Sequence, residues 1–364
     1  MHDLIIIGGG PAGASAAITA ARQGGNVLLL ERGRFPRHKV CGEFVSAESL
    51  GLLFSLLHSE HSHLLHNAPR MPQLRVYLDG RILRSPVEPP AASISRLDLD
   101  AALWDSAVRS GVDARQNTAV QKIEGHGPFS ITSSAGTFTS RAVIDCSGRW
   151  STLRPAPRSD TSPKFLGLKA HFAEASPSQT VDLYFFDGGY CGVSPVTLAS
   201  DDDPSQSRVN VCTMVRADVA TTLEDVFLRN PDLAIRAQGW QRLMDPVTTS
   251  PLIFHDPEPD QNGIIQAGDA ATFVDPFVGD GISLALRSGA LAAQSLARFL
   301  GGELSLDAAL SSYRTTYQEW LAPVFRNSTR IRRLLGLPRA LRLPIVSVLE
   351  RTPALTARLV RATR

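Results

Sequence analysis

Asp3-Leu-Ile-Ile-Ile-Gly8-Gly-Gly10-Pro-Ala-Gly13, with the chain that continues to Glu31, decides the fold. An apolar run, Leu4 to Ile7, enters a glycine-rich turn, a small-residue helix follows, and a second apolar run ends on Glu31. That order is a dinucleotide-binding βαβ unit. Gly8 permits the tight turn and Gly10 lets a pyrophosphate approach bare backbone. Gly13 lets helix and strand pack closely, helped by Ala14, Ala16, Ala17, Ala20 and Ala21. The helix opened by Pro11 and Ala12 offers unpaired N–H groups and partial positive charge to phosphates. Glu31, 18 residues after Gly13, is placed to accept ribose hydroxyls, with Arg32 beside it. The dipole supplies only about 0.3 to 2 kcal/mol, whereas nanomolar binding needs about 12 kcal/mol, so other parts of the chain must help hold the ligand.

A second glycine-rich helix entrance lies far downstream. Gly263 to Ala267 reads as a short strand running into Gly268-Asp269-Ala270, then Asp275-Pro-Phe-Val-Gly279-Asp-Gly281-Ile282, then a mostly buried helix to Leu300. Its N-terminus is expected beside whatever Asp269 binds.

With both turns in view, the chain resembles the FAD-dependent oxidoreductases of the aromatic hydroxylase (group A flavin monooxygenase) and geranylgeranyl reductase superfamily. The resemblance implies FAD as cofactor and a contact from Asp269 to the flavin ribityl chain. It also implies a loop, Gly279, Gly281 and Ile282, facing the N1–C2=O edge of the flavin ring. Arg96, in Ser95-Arg-Leu-Asp98, matches an arginine near the flavin; the alternative is a surface arginine on a helix capped by Ser95 and Asp98. Asp145-Cys-Ser-Gly148-Arg-Trp150-Ser151 sits where the family has an Asp-Gly fingerprint, with Cys-Ser intervening here.

Phe35-Pro-Arg-His38-Lys39-Val-Cys41-Gly42-Glu43 resembles the K-x-C-G segment of the geranylgeranyl reductase branch, which implies that Lys39, Cys41 and Gly42 lie near the flavin. Cys41 is then either a proton donor or a packing cysteine, and the basic neighbours His38 and Lys39 favour thiolate or bind phosphate. Flavin halogenases carry a similar Pro-Arg…Gly-Glu segment, but their W-x-W-x-I-P motif is missing: Tyr190-Cys-Gly-Val-Ser-Pro195 has no tryptophan, which disfavours halogenation. The Y-x-W-x-F-P of the reductase branch is absent there as well.

The expected architecture is α/β: a Rossmann-like FAD-binding domain (1–73, 91–155 and 262–325), an inserted antiparallel-sheet substrate domain (74–90 and 156–261) and a basic helical C-terminal segment (326–364). Within it, Ala47 to Leu57 and Arg96 to Ser110 read as helices, and Leu74 to Ser85 as a hairpin turning at Asp79-Gly80. Alternation in Leu166 to Phe172, Val181 to Phe186 and Val209 to Val215 predicts the antiparallel sheet. A cleft between the lobes is the expected substrate site, with Phe185, Phe186, Tyr190 and Pro276 as candidate contacts.

Composition fits such a chain: 364 residues, 43% hydrophobic and 20% charged, are ample for two lobes around one cofactor. Four scattered cysteines without C-x-x-C spacing, and a structural strand at the N-terminus, predict a reduced cytoplasmic compartment without a cleaved leader. No apolar run reaches the length of a membrane span. His58, His61, His63 and His66 fit no regular zinc spacing and read as an exposed loop over the cleft, so no metal is expected.

From Arg326 to Arg364 there are ten arginines and one acid, Glu350, a formal charge of +9 against −7 for the remainder. Arginine alternates with leucine in segments that Pro338, Pro344 and Pro353 are expected to break. Two alternatives stand: helices that pack on the acidic body and close the cavity, or helices that rest on an anionic membrane. No aromatic platform accompanies the charge, which argues against nucleic acid. The sequence thus points to an FAD-dependent oxidoreductase acting on an apolar small molecule, with NAD(P)H as transient reductant. Hydride delivery to an activated C=C bond, ring hydroxylation, and electron transfer to a protein partner remain open.

Overall fold

The computed structural model describes residues 1–149, 153, 164–199, 207–252 and 254–362. Trp150, Ser151 and the expected domain boundary at 155/156 lie outside them. In chain order come β1 (His2–Ile7), α1 (Pro11–Arg22), β2 (Val27–Leu30), β3 (Arg70–Leu78), β4 (Arg81–Ser93), α2 (Arg96–Arg109) and β5 (Gly136–Asp145). The strands β6 (Phe165–Ala173), β7 (Thr180–Phe186), β8 (Gly189–Pro195) and β9 (Arg208–Arg216) follow. The chain then closes with β10 (Ile264–Gln266), α3 (Gly281–Leu300), α4 (Ala322–Leu335), α5 (Arg339–Arg351) and α6 (Pro353–Arg361).

Two sheets organise these elements. In the first, β10, β5, β1 and β2 lie side by side and parallel, and the short strand Asp113–Arg115 continues the parallel run beyond β2. Leu4, Ile5 and Ile6 of β1 are fully buried, as a parallel strand covered on both faces requires. The second sheet runs β6, β9, β8, β7, β3, β4, antiparallel except for the β7/β3 pair, through which the 70–93 hairpin joins it. That hairpin turns at Asp79 (φ 56°) and Gly80 (φ 80°), the left-handed pair a two-residue turn demands.

Small residues set how closely the layers approach. A Cβ on Gly13 would lie 1.8 Å from the Gly8 carbonyl oxygen, and one on Gly8 2.3 Å from that of Cys146 at the end of β5. On α3, a Cβ on Gly289 would lie 2.0 Å from the Ala12 carbonyl oxygen, so α1 and α3 touch backbone to backbone. Ser15 seals the contact by donating its hydroxyl to Leu286 O at 2.7 Å.

The C-terminal helices pack on the body. Buried Arg342 makes a two-bond contact with Asp79 at 2.7 Å, Arg81 pairs with Glu350, and Val346 and Leu349 cluster with Leu78 and Leu83 of the hairpin. Pro338 and Pro353 stand at helix starts, as expected. Pro344 does not break the chain, correcting that expectation: it sits exposed inside α5, where a lost N–H bond is offset by packing of the opposite face. None of the described helices is long and apolar enough to cross a membrane.

Gly289→Ala is expected to destabilise the fold by about 1 to 3 kcal/mol through overpacking. Gly51→Ala, at an exposed mid-helix position where a new Cβ meets nothing within 4 Å, is expected to stabilise it by about 0.5 to 1 kcal/mol. Urea unfolding of the two variants checks the opposite signs.

Candidate cofactor and substrate site

One cavity of about 1180 Å³ runs from the βαβ turn into the second sheet. It exceeds the roughly 300 to 1,000 Å³ usual for a drug-sized ligand and suits a dinucleotide plus a second molecule. Gly8, Gly10, Pro11 and Ala12 line it at the α1 end, and Glu31 and Arg32 at the β2 end. Lys39, Cys41, Gly42 and Arg96 line it farther along, and Asp269, Gly279, Gly281 and Ile282 bring the α3 entrance to the same space. Phe185, Tyr190 and Pro276 line its apolar part, whereas Phe186 does not. Gly13 does not line it either; its missing side chain serves the packing of α1 on Gly8, the role its place in the turn predicts.

Three features fit a bound dinucleotide phosphate. A Cβ on Gly10 would meet no atom within 4 Å, so the turn keeps open space where α1 begins. The N-termini of α1 and α3 both open on the cavity and carry the partial positive charge that suits anions. Arg149, unremarked in sequence, lines the cavity with Nη1 buried and without a partner among the described residues, its Nε 3.4 Å from Asp269 and its guanidinium stacked over Phe273. Glu31 is tightly held, accepting N–H bonds from Gly9 (2.8 Å) and Gly33 (2.7 Å) and pairing with Arg37 (2.9 Å). Burial works to raise its carboxyl, but these donors prevail and keep it below the ordinary value.

The Lys39 to Glu43 segment is fixed by a buried polar cluster that periodicity could not have revealed. Glu43, at φ 57°, places its carboxylate between Lys169 and His171, alternate residues of β6, and all three side chains are fully buried. His171 Nε2 stands 2.9 Å from Glu43 Oε2, and Arg96 donates its backbone N–H to Oε1 at 2.8 Å. Burial opposes ionisation, yet the Lys169 ammonium beside it holds the Glu43 carboxyl well below the usual range. His38, Glu43 and His171 lie close enough to suggest a metal ligand set, but the Lys169 ammonium already compensates the carboxylate and would repel a cation.

Cys41 stands at the junction of channel and apolar lobe. Glu43 donates its N–H to the Cys41 sulfur at 3.4 Å, Asn210 donates to the Cys41 carbonyl at 3.1 Å, and the Arg96 guanidinium faces the sulfur. Arg96 is not the surface residue of the capping alternative. It is mostly buried and makes two bonds to the fully buried Asp100, at 2.7 and 2.8 Å, while Ser95 caps α2 by accepting the Leu97 N–H. Burial and the Lys169 charge push His38 down, leaving its imidazole neutral near pH 7.

Two acids flank the α3 entrance. Burial raises Asp275 to about 7 against the opposing Arg332 guanidinium, whose Nε is 3.8 Å away, and raises Asp280 to about 6 against the hydroxyls of Ser46 and Ser283. The four histidines from His58 to His66 are elsewhere: none lines the cavity, and His61 instead pairs with Asp105 on α2 at 2.7 Å. The expectation that their loop covers the cleft is therefore corrected, because the segment packs on the α2 side through the bond from His58 N–H to Ser106.

Comparison with known proteins agrees with this site. A family model described as FAD dependent oxidoreductase matches residues 3–62, the βαβ unit and the segment after it. The chain is 24% identical over 356 residues to digeranylgeranylglycerophospholipid reductase 2 of Methanopyrus kandleri, covering 92% of this chain and 86% of that one. It is 22% identical over 323 residues to 1H-pyrrole-2-carbonyl-[peptidyl-carrier protein] brominase of Pseudoalteromonas luteoviolacea, covering 83% and 78%. The solved structure of flavin-dependent brominase Bmp2 superposes with a TM-score of 0.80 at 20% identity, over all of this chain and 93% of the other. The two converging helix entrances and the open turn at Gly10 thus accompany a match to the FAD dependent oxidoreductase model at the N-terminal unit and a likeness to flavin reductases and halogenases over most of the chain.

Proposed function

We propose that this oxidoreductase reduces an activated C=C bond in an apolar small molecule. The observation that carries the reading is the continuity of the channel at Cys41 with a lobe walled by Leu74, Val76, Leu183, Phe185, Tyr190 and Met214. Such a wall desolvates an apolar chain and offers few polar groups to orient a hydrophilic one. FAD, when bound, supplies the hydride.

The chain's residues are proposed to act as follows. Gly8, Gly10, Pro11 and Ala12 with the α1 N-terminus hold the pyrophosphate, joined by Arg149. Glu31 and Arg32 receive the adenosine end, and Asp269 the ribityl chain. Gly279, Gly281 and Ile282 present the α3 N-terminus to the ring, while Lys39, Gly42 and Arg96 border it. Reduction adds hydride to one carbon and a proton to the other. Cys41, the candidate catalytic residue, holds that proton at Sγ, with the Arg96 guanidinium facing it. Asp275 supports the proton inventory beside Tyr190, since burial keeps its carboxyl protonated to near pH 7. The reductant is proposed to be NAD(P)H binding transiently, and the location cytoplasmic.

Halogenation is the second reading, raised by the brominase likenesses. It ranks below reduction for two reasons. In sequence the Methanopyrus reductase is matched over more of both chains than the Pseudoalteromonas brominase, and Tyr190 to Pro195 lacks the tryptophans of the halogenase motif. Hydroxylation and electron transfer to a protein partner have no residue of this site in their favour.

The reading is tested by anaerobic single turnover of the NAD(P)H-reduced protein with a polyprenyl compound, with oxygen and bromide admitted in a parallel run. Saturated product without oxygen, formed at least about tenfold more slowly by Cys41→Ser, is expected; brominated or hydroxylated product only in the oxygen run would contradict it. Gly10→Val is expected to keep its circular dichroism, because the added side chain meets no protein atom near its Cβ, yet to be purified colourless. In the apoprotein, the raised Asp275 pKa contributes stability that is complete below pH 4 and is lost as pH rises through 7. Relative to Asp275→Asn, wild-type stability should therefore fall across that window, by at most about 4 kcal/mol. Parallel pH slopes of the two proteins in urea unfolding would remove the buried acid from the account.

A further inference from the structure

The helices that close the apolar lobe show a second face. Leu355 and Leu359 line the cavity yet are 40% and 37% exposed, so the rim of an opening lies at α6. Arg330, Ile331 and Leu334 of α4 line the same region, and Asn327 donates to Ala362 O at 2.6 Å, fastening α4 beside α6. On the neighbouring α5, Leu341 and Val348 are 61% and 54% exposed on one side, with Pro344 between them.

Charge accompanies these apolar groups. Arg326, Arg330 and Arg333 form the outward stripe of α4, and Arg358 and Arg361 stand beside the two leucines on α6. Among the described residues none of these five is paired with a carboxylate, and the one acid of the C-terminal segment, Glu350, is paired with Arg81. Exposed leucines at a cavity mouth, ringed by unpaired arginines, match a surface that is apolar inside and anionic at its headgroups.

We propose that the rim formed by α4 and α6 docks on an anionic bilayer, from which the substrate passes directly into the cavity. The packing of α5 on the β3/β4 hairpin and this docking are compatible: the inner faces of the helices close the lobe, and the outer faces meet the lipid. The idea rests on the apolar-substrate reading for its purpose but not for its test, which uses no substrate. Failure to bind vesicles would leave C=C reduction standing, and failure of reduction would leave vesicle binding standing.

The experiment is co-sedimentation of the full, flavin-loaded chain with phosphatidylcholine vesicles, with and without phosphatidylglycerol. Binding to the anionic vesicles and its weakening by salt are expected. Arg358→Glu with Arg361→Glu should weaken partitioning at least about tenfold, since each basic residue at such a surface contributes about fivefold. Leu355→Asp with Leu359→Asp should do the same while the far-ultraviolet circular dichroism stays unchanged, both side chains being partly solvent-exposed. Equal partitioning of wild type and both variants, or absence of binding to anionic vesicles, would overturn the proposal. So would capture of an acidic carrier protein by the same arginines in place of vesicle binding.

Discussion

Gly289 and Ala12 meet so closely that no side chain fits between them, and this contact decides where everything else goes. It draws α3, whose sequence lies some 270 residues downstream, onto α1 and aligns their N-termini on one cavity. Neither helix end alone attracts an anion strongly, at about 0.3 to 2 kcal/mol each. Two ends opening on one extended cavity, with an arginine nitrogen that has no partner among the described residues between the β5 turn and Asp269, offer an extended ligand several contacts at once.

Around that frame, the catalytic neighbourhood is held by charges that cannot leave. Glu43 is buried with Lys169 and His171, and removing one member of such a cluster strands the others in a low-dielectric interior, at about 3 to 5 kcal/mol. The cluster thereby fixes the short path from Lys39 to Gly42, from which Cys41 faces Arg96 of α2. Its buried position gives the site rigidity where the channel turns from polar to apolar.

What could be read from the sequence was what depends on neighbours in the chain. The βαβ unit, the Asp79-Gly80 turn, the helix from Gly281 and the strand alternation all follow from local periodicity and backbone freedom, and they appear nearly residue for residue. Hidden were contacts between distant segments: Gly289 against Ala12, Arg149 against Asp269, and Glu43 against Lys169 and His171. The alternation of β6 reads as one apolar and one polar face and gives no local sign that its lysine and histidine are themselves fully buried. Gly13 and Pro344 show the two outcomes of a local reading. At Gly13 the packing role read from the motif is what the close approach to Gly8 requires, whereas at Pro344 a helix breaker was tolerated because tertiary contacts outweigh one lost bond.

The central claim is that the α1 entrance grips the pyrophosphate of FAD, and fluorescence titration of the apoprotein with FAD and with riboflavin tests it most directly. The account predicts one equivalent of FAD bound tightly and riboflavin, which lacks the pyrophosphate and adenosine, bound orders of magnitude more weakly. Equal affinity for the two, or no binding of FAD, would contradict it.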